Sequence, residues 1–324
     1  MYKHGEAFSF VDFFSYFCTM QSNTNILAHV TAFLTAAVWG TTFISTKVLI
    51  LDGISPVQIF TLRFVLAYLL LVSLSFVFPS MIGHQGRFRW FADNWKDELL
   101  MLVLGVTGGS AYFFTENEAL RFGTATNVSL IVCSCPLFTT ILFRFFVKGT
   151  RLSTAQTIGT ILAFVGMAVV VLNGHFVLHL SPIGDSLAFA ACLCWASYSI
   201  QMKFVTDRYD AVFITRKVFF YGVLTILPYY CIVPEFPPVS VLLRPEVLGN
   251  LFFLGIVASL VCFVVWNWAL GQLGPIRTTN YVYVNPITTI IFAAWILGEQ
   301  ITLYFILGSL MILVGLYLSN RQKS

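Results

Sequence analysis

Ten long apolar runs, separated by short polar or Gly/Pro-marked breaks, constrain this chain more than any other feature of its sequence. They lie near residues 28–50, 56–79, 99–120, 124–147, 154–173, 182–203, 210–232, 249–271, 277–297 and 301–319. About 20 mainly apolar residues are enough for a helix to cross a bilayer, and only 10% of the 324 residues are charged. The sequence therefore predicts an all-α integral membrane protein with ten transmembrane helices and no extramembrane domain, which favours a transporter or channel over an enzyme.

The distribution of Lys and Arg predicts the orientation, because cytoplasmic loops are enriched in both residues. With the N-terminus in the cytoplasm, only Lys47, Arg63, Arg121 and Arg244 of the 18 Lys and Arg residues fall in the outer half of the membrane or outside it. We predict a multi-pass protein of the inner (plasma) membrane with both termini cytoplasmic and a cytoplasmic or interfacial segment at residues 1–27. The same rule accounts for the net charge of +4, so no nucleic-acid partner is inferred.

The two halves of the chain resemble each other at a nearly constant spacing. Matching positions 150 or 156 residues apart are Asn117 and Asn267, Leu120 and Leu270, Pro136 and Pro286, Trp39 and Trp195, and Lys47 and Lys203. We predict two repeats of five helices each, residues 28–173 and 182–320. Because five is odd, the second repeat must be inverted relative to the first, as in many secondary transporters, whose substrate sites lie near the midplane.

Pro136 and Pro286 fall in the middle of the fourth and ninth predicted helices. A proline inside a helix removes one backbone hydrogen bond, so we expect a kink at each position. Each proline marks either a static kink or one of a symmetric pair of hinges or unwound points beside the cavity. Polar residues that lipid would not tolerate precede both prolines, among them Asn127, Asn280 and Asn285, and we predict that these residues face protein or a water-filled path.

Several stretches together resemble a known family. They are "WGTTFISTK" (39–47), "ISPVQIFTLRF" (54–64), "ENEALRFGTATNVSLIVCSCPLFTTIL" (116–142) and "WNWALGQLGPIRTTNYVYVNPITTIIFAAWILGEQIT" (266–302). The chain resembles the EamA-type permeases of the drug/metabolite transporter superfamily over nearly all of residues 28–320. The resemblance implies ten helices in two inverted five-helix repeats and export of small metabolites, amino acids or toxic compounds. The two glutamates in "TENEAL" depart from the family pattern, so the substrate of a typical relative is not assumed.

Three charged residues are candidates for a site in the outer half of the membrane. Arg63 lies seven residues beyond Pro56, roughly 10 Å below the outer mouth, where an unpaired cation is costly. Glu116 lies at a similar depth, whereas Lys47 is close enough to the end of its helix to reach the interface. Two interpretations remain open. Arg63 and Glu116 form a structural ion pair, or the three side chains line a vestibule in which Glu116 meets a substrate ammonium or a transported proton.

The second half offers aromatic rather than charged residues at the corresponding positions. Trp266 occupies the position equivalent to Glu116, and Tyr283 lies nearby in the predicted fold. Charge on one side and aromatic surface on the other would suit a zwitterionic, partly apolar solute such as an amino acid. Aromatic residues near helix ends are also common interfacial anchors, which is the alternative explanation.

The sequence therefore predicts a secondary transporter that exports small, amino-acid-like solutes by alternating access, with the proton as a candidate coupling ion. A passive uniporter is the alternative, and an intramembrane enzyme is a weaker one. No cofactor or metal site is indicated. Glycines seven residues apart, Gly159 and Gly166 in one half and Gly308 and Gly315 in the other, predict close helix packing. That packing is either intramolecular or a dimer seam, so the protein is expected to be a monomer or a homodimer.

Overall fold

The computed structural model describes residues 24–77, 89–122, 125–147, 153–172, 181–297 and 301–320. Within these ranges every regular element is helical and no strand occurs. The first helix, α1 (Thr24–Leu51), begins ahead of residue 28, the predicted start of the first span. Most of the predicted N-terminal segment 1–27 lies outside the described residues. The all-helical prediction is confirmed.

The remaining helices follow in chain order. They are α2 (Pro56–Val77), α3 (Trp95–Gly105), α4 (Ala111–Phe122), α5 (Ala125–Val132), α6 (Cys135–Phe146), α7 (Thr154–Leu172), α8 (Pro182–Met202), α9 (Ala211–Ile232), α10 (Val239–Leu242), α11 (Pro245–Phe252), α12 (Cys262–Leu273), α13 (Pro275–Thr279), α14 (Asn285–Leu297) and α15 (Leu303–Asn320). Two π-helical segments, Val106–Ser110 and Phe253–Val261, join α3 to α4 and α11 to α12. A 3₁₀ segment, Asn280–Val284, joins α13 to α14.

Seven helical stretches within the described ranges are long and apolar enough to cross a membrane. They are Pro56–Val77, Trp95–Ala119, Thr154–Leu172, Pro182–Met202, Ala211–Ile232, Pro245–Leu273 and Leu303–Asn320. Large apolar side chains such as Leu69, Ile232 and Leu303 are exposed on the outside of the bundle, as contact with lipid requires. The protein is therefore a multi-pass membrane protein, and the prediction of ten spans extends beyond these seven.

The structure places the two prolines differently from the prediction of kinks inside continuous helices. Pro136 lies in the first turn of α6, after α5 has ended at Val132, and Pro286 is the second residue of α14. A proline suits the first turn of a helix, whose N–H groups have no partner within the helix. Each proline therefore begins a new helical segment, and the interruption precedes it.

The predicted glycine surfaces bring α7 and α15 together within one chain. A Cβ atom at Gly159 would lie 2.4 Å from the backbone nitrogen of Ser319, and one at Gly166 would lie 2.7 Å from the carbonyl oxygen of Gly308. No larger side chain fits at these distances. Of the two alternatives drawn from the sequence, the structure supports intramolecular packing for these glycines.

The core lies between the two halves of the chain. The first half contributes α3 and the following π segment, which pack on α9, and α4, which packs on α8. In return, α12 and α14 pack on α1. Phe64 of α2 occupies the centre, with its ring centroid 4.9 Å from that of Phe219 and 5.6 Å from that of Phe263. Residues distant in sequence therefore meet in the interior of the bundle.

Candidate functional site

Arg63 lies inside the bundle with only 6% of its surface exposed. Its Nε donates a hydrogen bond to Ser259 Oγ at 2.8 Å, and its guanidinium carbon lies 4.8 Å from the centre of the Phe113 ring. Among the described residues, no carboxylate oxygen lies within 4.0 Å of Arg63. A buried cation that lacks a direct counter-ion is costly in a membrane helix and typically marks a functional position.

Glu116 lies one turn beyond Tyr112 on α4 and is also buried, with 8% of its surface exposed. Tyr112 donates its hydroxyl proton to Glu116 Oε1 at 2.8 Å, and Glu116 is near enough to Arg63 for the two charges to attract. The neighbouring Glu118 instead pairs with Arg121 at 2.8 Å. The two glutamates of this segment therefore have different environments, one internal and one at a surface ion pair.

The structural ion pair predicted as one alternative is not a direct contact, because Tyr112 and Ser259 hold the two side chains separately. The third member of the predicted constellation, Lys47, belongs to α1, but its side chain lies outside the described part of the structure. The same holds for the side chain of Asn127 on α5. Their placement near Arg63 and Glu116 stays a prediction.

Trp266 of α12 is fully buried and packs against two other tryptophans. Its ring centroid lies 4.9 Å from that of Trp39 on α1 and 6.2 Å from that of Trp195 on α8. Trp195 in turn lies 5.1 Å from the ring of Tyr112, the residue that holds Glu116. We call Trp39, Tyr112, Trp195 and Trp266 the aromatic cluster, and it connects the predicted Trp266 to the predicted Glu116.

Sequence reasoning missed Trp39 and Trp195, although a signal for them was present. The repeated pattern from Trp39 to Lys47 and from Trp195 to Lys203 drew attention to its lysines. In the structure the two tryptophans touch, with ring centroids 5.4 Å apart, while Lys203 is exposed at the end of α8. Among the described side chains of this internal repeat, the two tryptophans therefore reach the interior and Lys203 does not.

Tyr283 is fully buried on the 3₁₀ segment Asn280–Val284. Its hydroxyl lies near the backbone of Leu137 at the start of α6 but makes no hydrogen bond of good geometry among the described residues. Tyr283 therefore lies beside the start of α6.

The predicted asparagines Asn280 and Asn285 form hydrogen bonds with the backbone or with neighbouring helices. Asn280 donates through its amide nitrogen to Thr160 Oγ1 at 3.1 Å and to Ser319. Asn285 donates to the carbonyl oxygen of Ala36 at 2.9 Å when its amide nitrogen faces α1. The structure therefore places Asn280 among α7 and α15, and it does not bring Asn280 to the contacts of Arg63 and Glu116.

A second polar group, which the sequence reasoning treated only as evidence for orientation, joins α3 to α9 and to the turn before it. We call it the charged clamp, and its members are Asp97, Glu98, Arg208, Tyr209, Lys217 and Tyr221. Arg208 Nη1 lies 2.5 Å from Asp97 Oδ2. Glu98 accepts hydrogen bonds from Lys217, Tyr221 and the backbone N–H of Ala92, the last at 2.6 Å.

Every carboxylate of the charged clamp has several donors. Tyr209 donates its hydroxyl to Asp97 Oδ2 at 2.8 Å, and burial raises the pKa of Tyr209 to about 12, so this donor stays protonated at neutral pH. Lys217 also lies 4.9 Å from the ring centre of Phe91. A sequence signal existed here too. Asp97 and Glu98 lie in the first turn of a helix, where acidic residues interact favourably with the helix dipole, and they can pair with basic residues predicted at the same cytoplasmic face of the membrane.

The described residues form clefts away from the central charges. One of about 490 Å³ lies beside the charged clamp and is lined by Phe91, Trp95 and Leu99, and one of about 230 Å³ lies among His29, Tyr281 and Asn320. In the described part of the chain, no group of three His, Cys, Asp or Glu residues is arranged to hold a metal ion.

Comparison with known proteins gives a consistent match along the chain. The model of the EamA-like transporter family matches two segments, residues 26–172 and 182–321. A solved crystal structure superimposes with a TM-score of 0.70 at 18% sequence identity, covering 91% of this chain and 97% of that chain. At this identity, the structural likeness shows the fold alone.

Three relatives have descriptive names. A transporter of Archaeoglobus fulgidus described as uncharacterized is 26% identical over 92% of this chain and 99% of its own length. A probable amino-acid metabolite efflux pump of Escherichia coli is 27% identical over 90% and 93%. A probable terminal-alkyne amino-acid exporter of Streptantibioticus cattleyicolor is 24% identical over 70% and 74%. The relatives are thus named as transporters, and two of them as exporters of amino acids or their metabolites.

Proposed function

The chain belongs to the EamA-like transporter family, and from that premise we propose that it is a secondary transporter that exports small, amino-acid-like solutes by alternating access. A transporter rather than an enzyme is what the family indicates. The solute class is suggested by the relatives named for amino-acid efflux and export. Export from the cytoplasm across the inner membrane, with both termini cytoplasmic, is part of the proposal.

The proposed architecture is ten transmembrane helices in two inverted five-helix repeats, residues 28–173 and 182–320. The two matches of the family model support this division. Helical irregularities support it as well, because both the third and the eighth predicted spans contain a π segment, Val106–Ser110 and Phe253–Val261. The fourth and ninth spans are likewise both interrupted just before a proline, Pro136 and Pro286, which are the proposed hinges.

One observation carries the functional proposal: Arg63 and Glu116 are both buried within an apolar bundle and are not directly paired. Membrane proteins rarely retain such charges unless they serve a substrate or ion. In the proposal, Arg63 attracts an anionic group and Glu116 receives an ammonium group or a proton. The aromatic cluster, to which both halves contribute, provides apolar surface for the rest of the solute. Tyr283, Asn285, Lys47 and Asn127 remain proposed members of the path.

Asn280 has a supporting part in this proposal. Its amide binds Thr160 and Ser319, so it ties the 3₁₀ segment to α7 and α15. It would therefore set the position of Tyr283 rather than meet the solute. This assignment revises the expectation that all three polar residues before Pro286 and Pro136 contact the substrate.

The charged clamp is the proposed gate of the cytoplasmic face. It joins α3 of the first half to α9 of the second half, so the two halves cannot separate at that end while its ion pairs persist. Positively charged residues cluster there, as the orientation rule requires of a cytoplasmic face. Alternating access requires this contact to open in one state and to close in the other.

Counterflow in proteoliposomes tests the proposal directly. The purified protein would be reconstituted and offered a panel of labelled amino acids, nucleosides and cationic drugs, with and without an imposed pH gradient. The proposal predicts saturable exchange of amino acids, and its acceleration by the gradient. Saturable exchange that ignores the gradient would instead identify a passive uniporter, and the absence of amino-acid exchange would contradict the proposed solute class.

A further inference from the structure

Three tryptophans from three helices meet in the interior, yet their indole N–H groups differ in whether they form a hydrogen bond. Trp39 donates its Nε1 proton to the carbonyl oxygen of Ala258 at 2.9 Å. Trp195 and Trp266 have no acceptor for Nε1 among the described residues, although their side chains are at least nine-tenths buried and both nitrogens are inaccessible to solvent. Two neighbouring donors therefore have no hydrogen bond within the part of the chain that the structure describes.

Such donors are unusual in a folded interior. Roughly 90% or more of buried polar groups in native proteins have a hydrogen-bond partner, because an unmet donor loses its interaction with water and receives nothing in exchange. A tryptophan that served only for packing could be replaced here by phenylalanine without that cost. The retained N–H groups of Trp195 and Trp266 therefore indicate an acceptor that is present in another state of the protein.

The surroundings define the chemistry of that acceptor. The rings of Trp195 and Trp266 lie 6.2 Å apart, and Trp195 packs on Tyr112, whose hydroxyl is bound to Glu116. The guanidinium of Arg63 lies beyond Phe113, whose ring is 5.0 Å from that of Tyr112. An indole N–H can only donate, and a carboxylate oxygen is its strongest acceptor. The carboxylate of Glu116, which is bound to the Tyr112 next to Trp195, would repel such an acceptor unless an ammonium group lay between them.

We propose that Trp195 and Trp266 form a carboxylate subsite, in which the two indole N–H groups bind the carboxylate of a transported amino acid. This inference rests on the proposed transport function and adds the residues that would recognise one end of the solute. The amino acid's ammonium group is directed toward Glu116, and an apolar side chain is enclosed by the rings of the aromatic cluster. Both donors belong to the second half of the chain, whereas Glu116 belongs to the first.

Phenylalanine substitutions test the subsite, because they keep an aromatic ring and remove only the N–H donor and the larger indole. Trp266→Phe and Trp195→Phe would be reconstituted and assayed for counterflow of labelled L-phenylalanine. Unlabelled L-phenylalanine and phenethylamine, which lacks the carboxylate, would compete. Trp295→Phe is the control, because its side chain is 79% exposed and belongs to no part of the proposed site.

The unaltered protein should prefer L-phenylalanine over phenethylamine, and each of the two subsite variants should lose about tenfold of that preference, the effect of one hydrogen bond to a charged group. The competition by phenethylamine itself should change little. Trp295→Phe should keep the preference of the unaltered protein. Thermal unfolding of each purified variant in detergent shows whether the fold is intact.

The outcomes separate this inference from the function on which it rests. If Trp266→Phe and Trp195→Phe both carry L-phenylalanine with an unchanged preference, the subsite is wrong and the transport function stands. The same conclusion follows if the unaltered protein exchanges other amino acids but not L-phenylalanine. If it exchanges no amino acid at all, both the proposed function and the subsite are contradicted.

Discussion

In the described part of the chain, buried charges occur in two regions, the charged clamp at the start of α9 and the pair Arg63 and Glu116 at the centre of the bundle. In the clamp, Glu98 meets Lys217 directly and also accepts from Tyr221 and a backbone N–H. At the centre, Arg63 has a serine and an aromatic ring, and Glu116 has a tyrosine. The clamp compensates its charges within the protein, and the centre does not.

This difference separates two uses of charge. A buried ion pair with several hydrogen bonds is strongly destabilised when one partner is removed, because the other charge is left without compensation. A buried charge without a direct partner already destabilises the folded protein. Its removal should therefore lower the free energy of unfolding less and impair function more. We therefore expect the clamp to hold a conformation, and the centre to bind a solute or proton.

The largest loss of stability is expected from Lys217→Met. The substitution leaves Glu98 without its cation, so the free energy of unfolding should fall by about 3 kcal/mol. Titration with SDS in mixed micelles measures this quantity. Lys203→Met removes an exposed lysine at the end of α8 and serves as the control, with no expected change. Equal stability of the two variants would show that the charged clamp does not stabilise the fold.

A smaller loss is expected from Arg63→Met at the centre. The variant removes one hydrogen bond, to Ser259, so the free energy of unfolding should fall by only about 1 kcal/mol. The half-saturation concentration for counterflow should rise because the cation that attracts the solute's anionic group is gone. Arg121→Met, at the surface pair with Glu118, controls for loss of a positive charge. A stability loss as large as that of Lys217→Met would show that the central charges stabilise the fold as much as the charged clamp does.

The buried Glu116 and the partly buried Glu98 allow the most closely matched contrast. Glu116→Gln keeps an oxygen acceptor for the Tyr112 hydroxyl, so unfolding should change by less than about 1 kcal/mol. Glu98→Gln should be the more damaging of the two, because it removes the counter-charge of the buried Lys217. The same SDS titration ranks them. The reverse ranking would mean that Glu116, rather than Glu98, is the structural carboxylate.

The smallest effect is expected at the surface pair of Asp52, just after α1, and Arg244, just before α11. The two side chains lie 3.4 Å apart, and the arginine side chain is about half exposed. Exposed pairs contribute little because water screens them, so Arg244→Ala should change the free energy of unfolding by about 0.5 kcal/mol or less. A loss comparable with that of Lys217→Met would show that this surface pair stabilises the fold as strongly as the charged clamp does.

The helices could be predicted because their signal is local. Apolar runs of the length needed to cross a bilayer correspond to helices such as α2, α7 and α9, and Pro136 and Pro286 marked the interruptions correctly to within a turn. The prolines were expected inside kinked helices because the sequence does not show which residues before them leave the helix. The depth of Arg63 and Glu116 followed from the rise of a helix, and both are buried.

The contacts between helices could not be predicted from local sequence patterns. Nothing near Asn280 in the chain indicates that its amide binds Thr160 and Ser319, which are 120 and 39 residues away. The basic residues of the charged clamp indicated only the orientation of the chain. Its pairing could not be predicted, because Glu98 and Lys217 are 119 residues apart in the sequence. Pairing of distant residues depends on how the halves pack, and a single sequence does not encode that in a readable pattern.

In the proposed transport cycle Glu116 carries the proton that couples solute export to the pH gradient. Counterflow of a labelled amino acid would be compared with and without a pH gradient in the unaltered protein, in Glu116→Gln and in Glu118→Gln, whose glutamate belongs to a surface pair. We expect Glu116→Gln to keep saturable exchange but no longer to respond to the gradient, while Glu118→Gln should respond as the unaltered protein does. A gradient response that survives in Glu116→Gln would contradict the role of Glu116 as the proton carrier.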